Sequence, residues 1–245
     1  MLNKRGQITI FVIIAVLILA IVGIYYITSN KGINQDPITA ETAPIYDGVY
    51  KCIEDTAIDA LYYIGLTGGY YFSPILSDEN GVAFYYYEGE NFMLSKEQLA
   101  EEISLTIDNT LHFCTNEVLN ITEFNITKGN ITTNIEIGEN KISINVEYPL
   151  TISKEDSNSI LKNWEGIEIE TQIGTIYNSI EQITLDQMTR EDLCLSCIAD
   201  IAEENSLKID LTSSDHATIL FVVTDEEFGL NGFDYEFSFV NKYLE

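Results

Sequence analysis

Basic residues and histidine are what this chain has least of. Its 245 residues carry 12 Lys and Arg against 39 Asp and Glu, a formal net charge of −27. Phosphate binding needs the opposite sign, which excludes nucleic acid as a partner. The two histidines are His112 and His216. Ser213, Ser214, Asp215 and His216 are neighbouring letters rather than a triad, and there is no G-x-S-x-G elbow, so nothing points to nucleophilic hydrolysis. TDEEFGLNGFDYE is acidic and turn-like, yet it lacks the Asp-x-Asp-x-Asn-Gly calcium pattern. Nothing in the sequence asks for a cofactor or a metal.

Charge is also missing from Ile8 to Ile27, twenty residues interrupted only by Thr9 and Gly23. At helical rise this matches the roughly 30 Å of a bilayer's hydrocarbon core. A cleaved signal would need a shorter apolar stretch and a small-residue cleavage site, which YYITSNKG does not offer. We expect a retained anchor in contact with membrane lipid, with Tyr25 and Tyr26 at the interface. Lys4 and Arg5 lie on its short side, which predicts a cytoplasmic N-terminus and an extracytoplasmic remainder. That remainder holds all 39 acidic and ten of the twelve basic residues.

The predicted organisation is a cytoplasmic tip and anchor over 1–28, a linker over 29–45 broken by Gly32, Pro37 and Pro44, and a domain over 46–245. Within the domain, Val49, Cys52, Ile53, Ala57, Ala60, Leu61 and Ile64 recur at helical spacing and LTGG ends the helix. YYFSPIL and VAFYYYEG read as strands around the turn SDENG. Ser95 and Gln98 suggest a capping box, opening a helix that carries Leu99, Ile103, Ile107 and Leu111 and ends at Cys114. Phe124 to Tyr148 then alternates as a three-stranded antiparallel meander with turns at KGN and GENK. A short helix around Ser159 to Trp164 and a strand at IEIETQI follow. Next come a helix through Ile173, Ile176, Ile180, Ile183 and Met188, another opening near Thr189, and closing strands. Phe233, Tyr235, Phe237 and Phe239 form the inward face of the last strand. The fold class expected is α+β, with antiparallel sheets packed by amphipathic helices.

Four cysteines suit an exported domain. Cys52 lies on the inward stripe of the first helix and Cys114 at the end of the second stripe, so packing those helices predicts a bond between them. Cys194 and Cys197, three residues apart at a helix start, are expected to pair with each other; zinc and redox chemistry are the lesser readings of CLSC. Three N-x-T sequons, at Asn120, Asn125 and Asn130, predict a glycosylated surface. The alternation puts Asn125 on the wet face and Asn130 in a turn. The 15 tyrosines read first as filling for half-buried sheet faces, and second as a contact surface for a protein or glycan. Glu101/Glu102 and Glu203/Glu204 read as solvated helix faces, with a paired-carboxylate hydrolase as the remote alternative.

Arg5, Gly6, Gln7 and Thr9, heading an apolar helix, resemble the processing region of archaeal type IV pilin-like proteins. The resemblance implies cleavage after Gly6, leaving Gln7 first and assembly into filaments; the position where those motifs carry Glu is Phe11 here. RGQITIF, CIEDTAIDALYYIGLTGGYY, YYYEGEN, LCLSC and FSFVNKY together resemble a group of membrane-anchored archaeal surface proteins. That resemblance implies an anchored, exported chain and brings no activity with it. The expectation is a single-pass cell-surface protein with a structural or interaction role.

Overall fold

The computed structural model describes residues 18, 36–120, 123–155, 157–190, 193–213 and 217–243. Gly6, Gln7, the span from Ile8 to Ile27 apart from Ile18, and His216 lie outside the described residues. The chain divides into two compact units, 1–37 and 38–245; the second is an α+β domain. Among the described residues no helix is long and apolar enough to cross a membrane.

Helix α1 (Ala43–Leu66) opens with Pro44 in its first turn, where a missing N–H costs nothing. Residues 43–45 therefore belong to the helix rather than to a linker, and Ile45 is buried. All seven expected core positions from Val49 to Ile64 are buried. The helix stops because Gly68 and Gly69 adopt positive φ, +71° and +92°, and the Gly69 N–H reaches back to the Ile64 carbonyl at 2.8 Å. That six-to-one bond satisfies an end carbonyl in the way only a left-handed terminus can.

The next segment departs from expectation. YYFSPIL forms no strand; only an isolated bridge between Ser77 and Ala83 is made, and Pro74 removes a ladder donor. Strand β1 (Phe84–Tyr87) turns back into β2 (Glu90–Asn91) and pairs in parallel with the last strand of the chain.

Helix α2 (Lys96–Asn120) begins with the capping box as read: Ser95 N–H donates to Gln98 Oε1 at 2.8 Å, and Gln98 N–H donates to Ser95 Oγ at 3.2 Å. It does not end at Cys114 but runs six residues further, burying Thr115 and Leu119. His112 is consequently an exposed residue within the helix.

Strands β3 (Asn125–Lys128) and β4 (Thr132–Ile137) do not pair with each other. Both lie along the same edge of β5 (Lys141–Lys154), β4 against its first half and β3 against its second. KGN is thus a joint between collinear strands, closed by the Gly129 N–H on the Pro149 carbonyl at 2.7 Å. The other edge of β5 pairs along its length with β6 (Ser157–Glu170). The helix expected around Ser159 to Trp164 is part of this strand. Leu161, Trp164 and Ile167 are buried at three-residue steps because the β5–β6 register shifts twice, between Ile144 and Val146 and between Glu147 and Leu150. An extra β6 residue at the first shift lengthens the step from Trp164 to Ile167 to three, and an extra β5 residue at the second shortens the step from Leu161 to Trp164 to three, a spacing that imitates a helix.

Helix α3 (Ile173–Gln187) leaves Met188 exposed just beyond its end, and α4 (Leu195–Glu204) opens at Leu195 rather than near Thr189. Gly174 sits where a Cβ would come within 1.9 Å of the Gly138 carbonyl oxygen, so α3 docks its first turn on the β4–β5 turn. Strands β7 (Lys208–Ser213), β8 (Thr218–Leu230) and β9 (Phe233–Lys242) complete a five-stranded sheet in the order β2-β1-β9-β8-β7. Phe221 opposes Phe239 with rings 4.6 Å apart, and Val223 opposes Phe237. Phe233, expected inward, is exposed because it leaves an Asn231-Gly232 turn whose two residues both take positive φ. Such a turn matches the twist of a hairpin, and the strands therefore run through the segment read as a loop. The four unpaired residues of β8, 226–229, fold around Asp225, whose Oδ1 accepts the N–H groups of Glu227 and Phe228 at 3.0 Å each.

Helix α1 joins both sheets: Tyr46 stacks on Trp164 of β6, and Gly65 allows the Glu236 backbone of β9 to approach. Helix α2 lies along α1 and covers β4. One continuous apolar core results.

Candidate functional site

The residues that meet where α1 passes α2 belong to two stripes neighbouring the core stripes. Thr56, Asp59 and Tyr63 recur on one flank of α1, and Thr106, Thr110 and Phe113 on the facing flank of α2. Between them is an open cleft of about 560 Å³, with Cys114 in its wall. Cys52 and Cys114 are bonded, as the helix pairing predicted, with Cα atoms 5.6 Å apart. This bond fixes the two helices at the cleft. The small Thr and Ala60 side chains leave the space that Leu or Ile would fill.

Thr106 and Thr110 donate their hydroxyls to the carbonyls of Glu102 and Thr106, at 2.8 and 2.7 Å. Their donors are occupied by the helix itself. The third wall is Tyr71, carried by the loop after α1. Its N–H donates to the Glu102 carboxylate at 2.8 Å, and its carbonyl accepts the Tyr63 hydroxyl at 2.9 Å. The Tyr63 and Tyr71 rings meet edge to face at 6.0 Å, and Phe72 continues the aromatic row at 4.4 Å from Tyr71. Burial first, and the Glu102 charge second, push the adjoining Tyr70 phenol up from its ordinary value.

Phe113 is 67% exposed, Phe72 72% and Tyr63 44%. Large aromatics left in water around a cleft mark a contact surface more than a core. Among the described lining residues Asp59 is the one charged group; Lys51, nearby on α1, is paired to Asp55 at 2.7 Å. The cleft is therefore aromatic, apolar and of negative sign. Tyrosine thus divides between the two readings: Tyr85, Tyr148 and Tyr235 are core, whereas Tyr63 and Tyr71 line the cleft.

The other predicted site residues fall elsewhere. Asn120 ends α2, Asn125 begins β3 and Asn130 lies in the joint between β3 and β4; all three are exposed. Cys194 and Cys197 are bonded to each other, so the four sulfurs form two separate bridges and no four-cysteine cluster. Among the described residues one group could hold a metal, Asp186 with Cys194 and Cys197, and both its sulfurs are in the bridge. The Glu101/Glu102 pair is split between faces: Glu102 holds the Tyr71 loop, while Glu101 lines a shallow depression with Glu97 and Asp108. Glu203 and Glu204 are exposed on α4.

Asp108 faces Thr133 of β4, its Oδ1 buried without a partner. Burial raises its pKa above the usual 3.8, and Thr133 opposes that only in part. A raised carboxylate pKa means that ionisation destabilises the fold: the cost is absent below the unfolded value and fully present above the folded one. Asp108→Asn is expected to raise the melting temperature at pH 7 and to leave it unchanged near pH 3. A shift of equal size at both pH values would show that the carboxylate charge is not the cause.

No protein family, curated protein or solved structure matches the chain.

Proposed function

We propose that this is a single-pass cell-surface protein, anchored by Ile8 to Ile27 with its N-terminus in the cytoplasm, whose α1–α2 cleft binds a basic segment of a partner protein. The observation that carries the reading is the exposed aromatic cleft with Asp59 as its charged lining group. An Arg or Lys between apolar side chains complements it in both respects, because a guanidinium stacks on aromatic faces and pairs with a carboxylate. The two disulfides support an oxidising location, and the exposed positions of Asn120, Asn125 and Asn130 are compatible with glycans.

One experiment tests location and cleft together. A fluorescent peptide bearing Arg-Leu pairs in a Gly-Ser background is added to intact cells expressing the full chain, and to the detergent-solubilised protein. Binding is expected in both, with affinity about tenfold weaker for Phe113→Ala and for Asp59→Asn, the loss typical of one interface anchor. The same peptide with Glu for Arg should not bind. Binding to the solubilised protein alone would overturn the orientation. Binding unchanged in both variants, or binding of an oligosaccharide in place of the peptide, would overturn the cleft assignment.

A further inference from the structure

The bridge between Cys194 and Cys197 differs from the one between Cys52 and Cys114 in what it does for the fold. Cys52 and Cys114 are 62 residues apart in sequence; Cys194 and Cys197 are three apart. Loop entropy grows with the length closed, so the shorter bridge contributes about half of the longer one or less. Helix α4 also has its own means of staying in place, through buried Ile198 and Ile201.

The reduced form, by contrast, is well provided for. Cys194 is the N-cap of α4, and its Sγ accepts the Cys197 N–H at 3.2 Å. A helix N-terminus lowers a thiol pKa because its free N–H groups and dipole favour the thiolate. Ser196 Oγ lies 3.6 Å from the same sulfur. Both cysteines are half-exposed. On the inner side, Cys197 borders a depression of about 320 Å³ shared with Gln182, Asp186, Asp200 and Glu204. A carboxylate oxygen of Asp186 lies within 4.8 Å of both sulfurs, and Arg190 Nε holds that side chain at 2.9 Å. The α4 N-terminus favours the Cys194 thiolate, whereas Asp186, its charge partly offset by Arg190, faces the Cys197 side; a bridge that stabilises weakly and releases a stabilised thiolate is an oxidising one.

We propose that Cys194–Leu195–Ser196–Cys197 is a thiol–disulfide exchange site that accepts two electrons from a dithiol. One thiolate of the dithiol attacks Cys194 Sγ; the Cys194–Cys197 bond breaks, a mixed disulfide forms on Cys194, and Cys197 leaves with the electron pair. Cys197 takes up the proton released by the attacking thiol, and Asp186, beside both sulfurs, sets the charge that the emerging Cys197 thiolate meets. The second thiol of the dithiol then attacks its own sulfur in the mixed disulfide. Cys194 leaves as the thiolate capped by α4, the proton of the second thiol passes to solvent, and the dithiol ends as a disulfide with both cysteines reduced. Asp186 acts here as a positioning residue.

The test uses the full chain equilibrated with reduced and oxidised glutathione at graded ratios, then alkylated and mapped by mass. Cys194–Cys197 is expected to open at a reduced-glutathione level at least tenfold below that which opens Cys52–Cys114. Cys197→Ser should accumulate glutathione on Cys194 at least tenfold above the adduct that Cys194→Ser accumulates on Cys197. Asp186→Asn should move the pH profile of Cys197 alkylation while leaving the melting temperature of the oxidised protein in place. Both bridges opening together, or equal adducts in the two serine variants, would overturn the proposal. An unmoved pH profile would remove Asp186 from it.

Discussion

Replacing Cys52 and Cys114 together by alanine is expected to lower stability by about 4 kcal/mol, the chain-entropy value for a loop of roughly 60 residues. The bond joins positions 62 apart in sequence. In a domain of about 200 residues that loss moves the melting temperature down by roughly 8 to 16 °C. The effect is large because the bond closes a long loop in the unfolded chain; in the fold it ties α1, which touches both sheets, to α2, which covers β4. Thermal unfolding of the double variant beside the oxidised parent measures it. An unchanged midpoint would mean that the unfolded chain is not constrained by the bridge. Because Cys114 also lines the aromatic cleft, the variant should lose peptide affinity as well.

Trp164→Ala is the second large effect. The indole is fully buried on β6, its ring 5.9 Å from Tyr46 of α1 and 6.0 Å from Tyr148 of β5. Removing it leaves a cavity at the contact between α1 and the second sheet, and such truncations cost about 3 to 5 kcal/mol. Trp164→Phe should cost distinctly less. The indole N–H is buried without a partner, and phenylalanine removes that unsatisfied donor along with some volume. Denaturant midpoints of both variants, with the slope unchanged, check the ordering. A Phe variant as damaging as the Ala variant would point to an indole hydrogen bond.

Local chemistry accounts for the parts of the domain that were readable in advance. The Ser95 and Gln98 exchange, the glycine stop after α1, and the alternation along β5 each depend on residues within one or two turns of one another. The cysteine pairing was legible because both partners sit on apolar helix stripes, and two amphipathic helices in one small domain bury those stripes together. The misreadings have an equally definite origin. The stretch from Ser159 to Trp164 was read as a helix, whereas register shifts against β5 space Leu161 and Trp164 by three within a strand, and those shifts are a property of the pair of strands. The Asn231-Gly232 turn carried a local hairpin signal that the surrounding acidic letters obscured.

The sequence by itself determined the charge, the apolar run at the N-terminus and the α+β class, since composition and periodicity act within single elements. Tertiary structure alone decided the cleft and what surrounds the Cys194–Cys197 bridge. Thr56, Asp59 and Tyr63 stand some fifty positions from Thr106, Thr110 and Phe113, and Asp186 comes from a different helix than Cys194 and Cys197. Which flanks of two helices face each other depends on how the whole core packs, and no local pattern encodes that register.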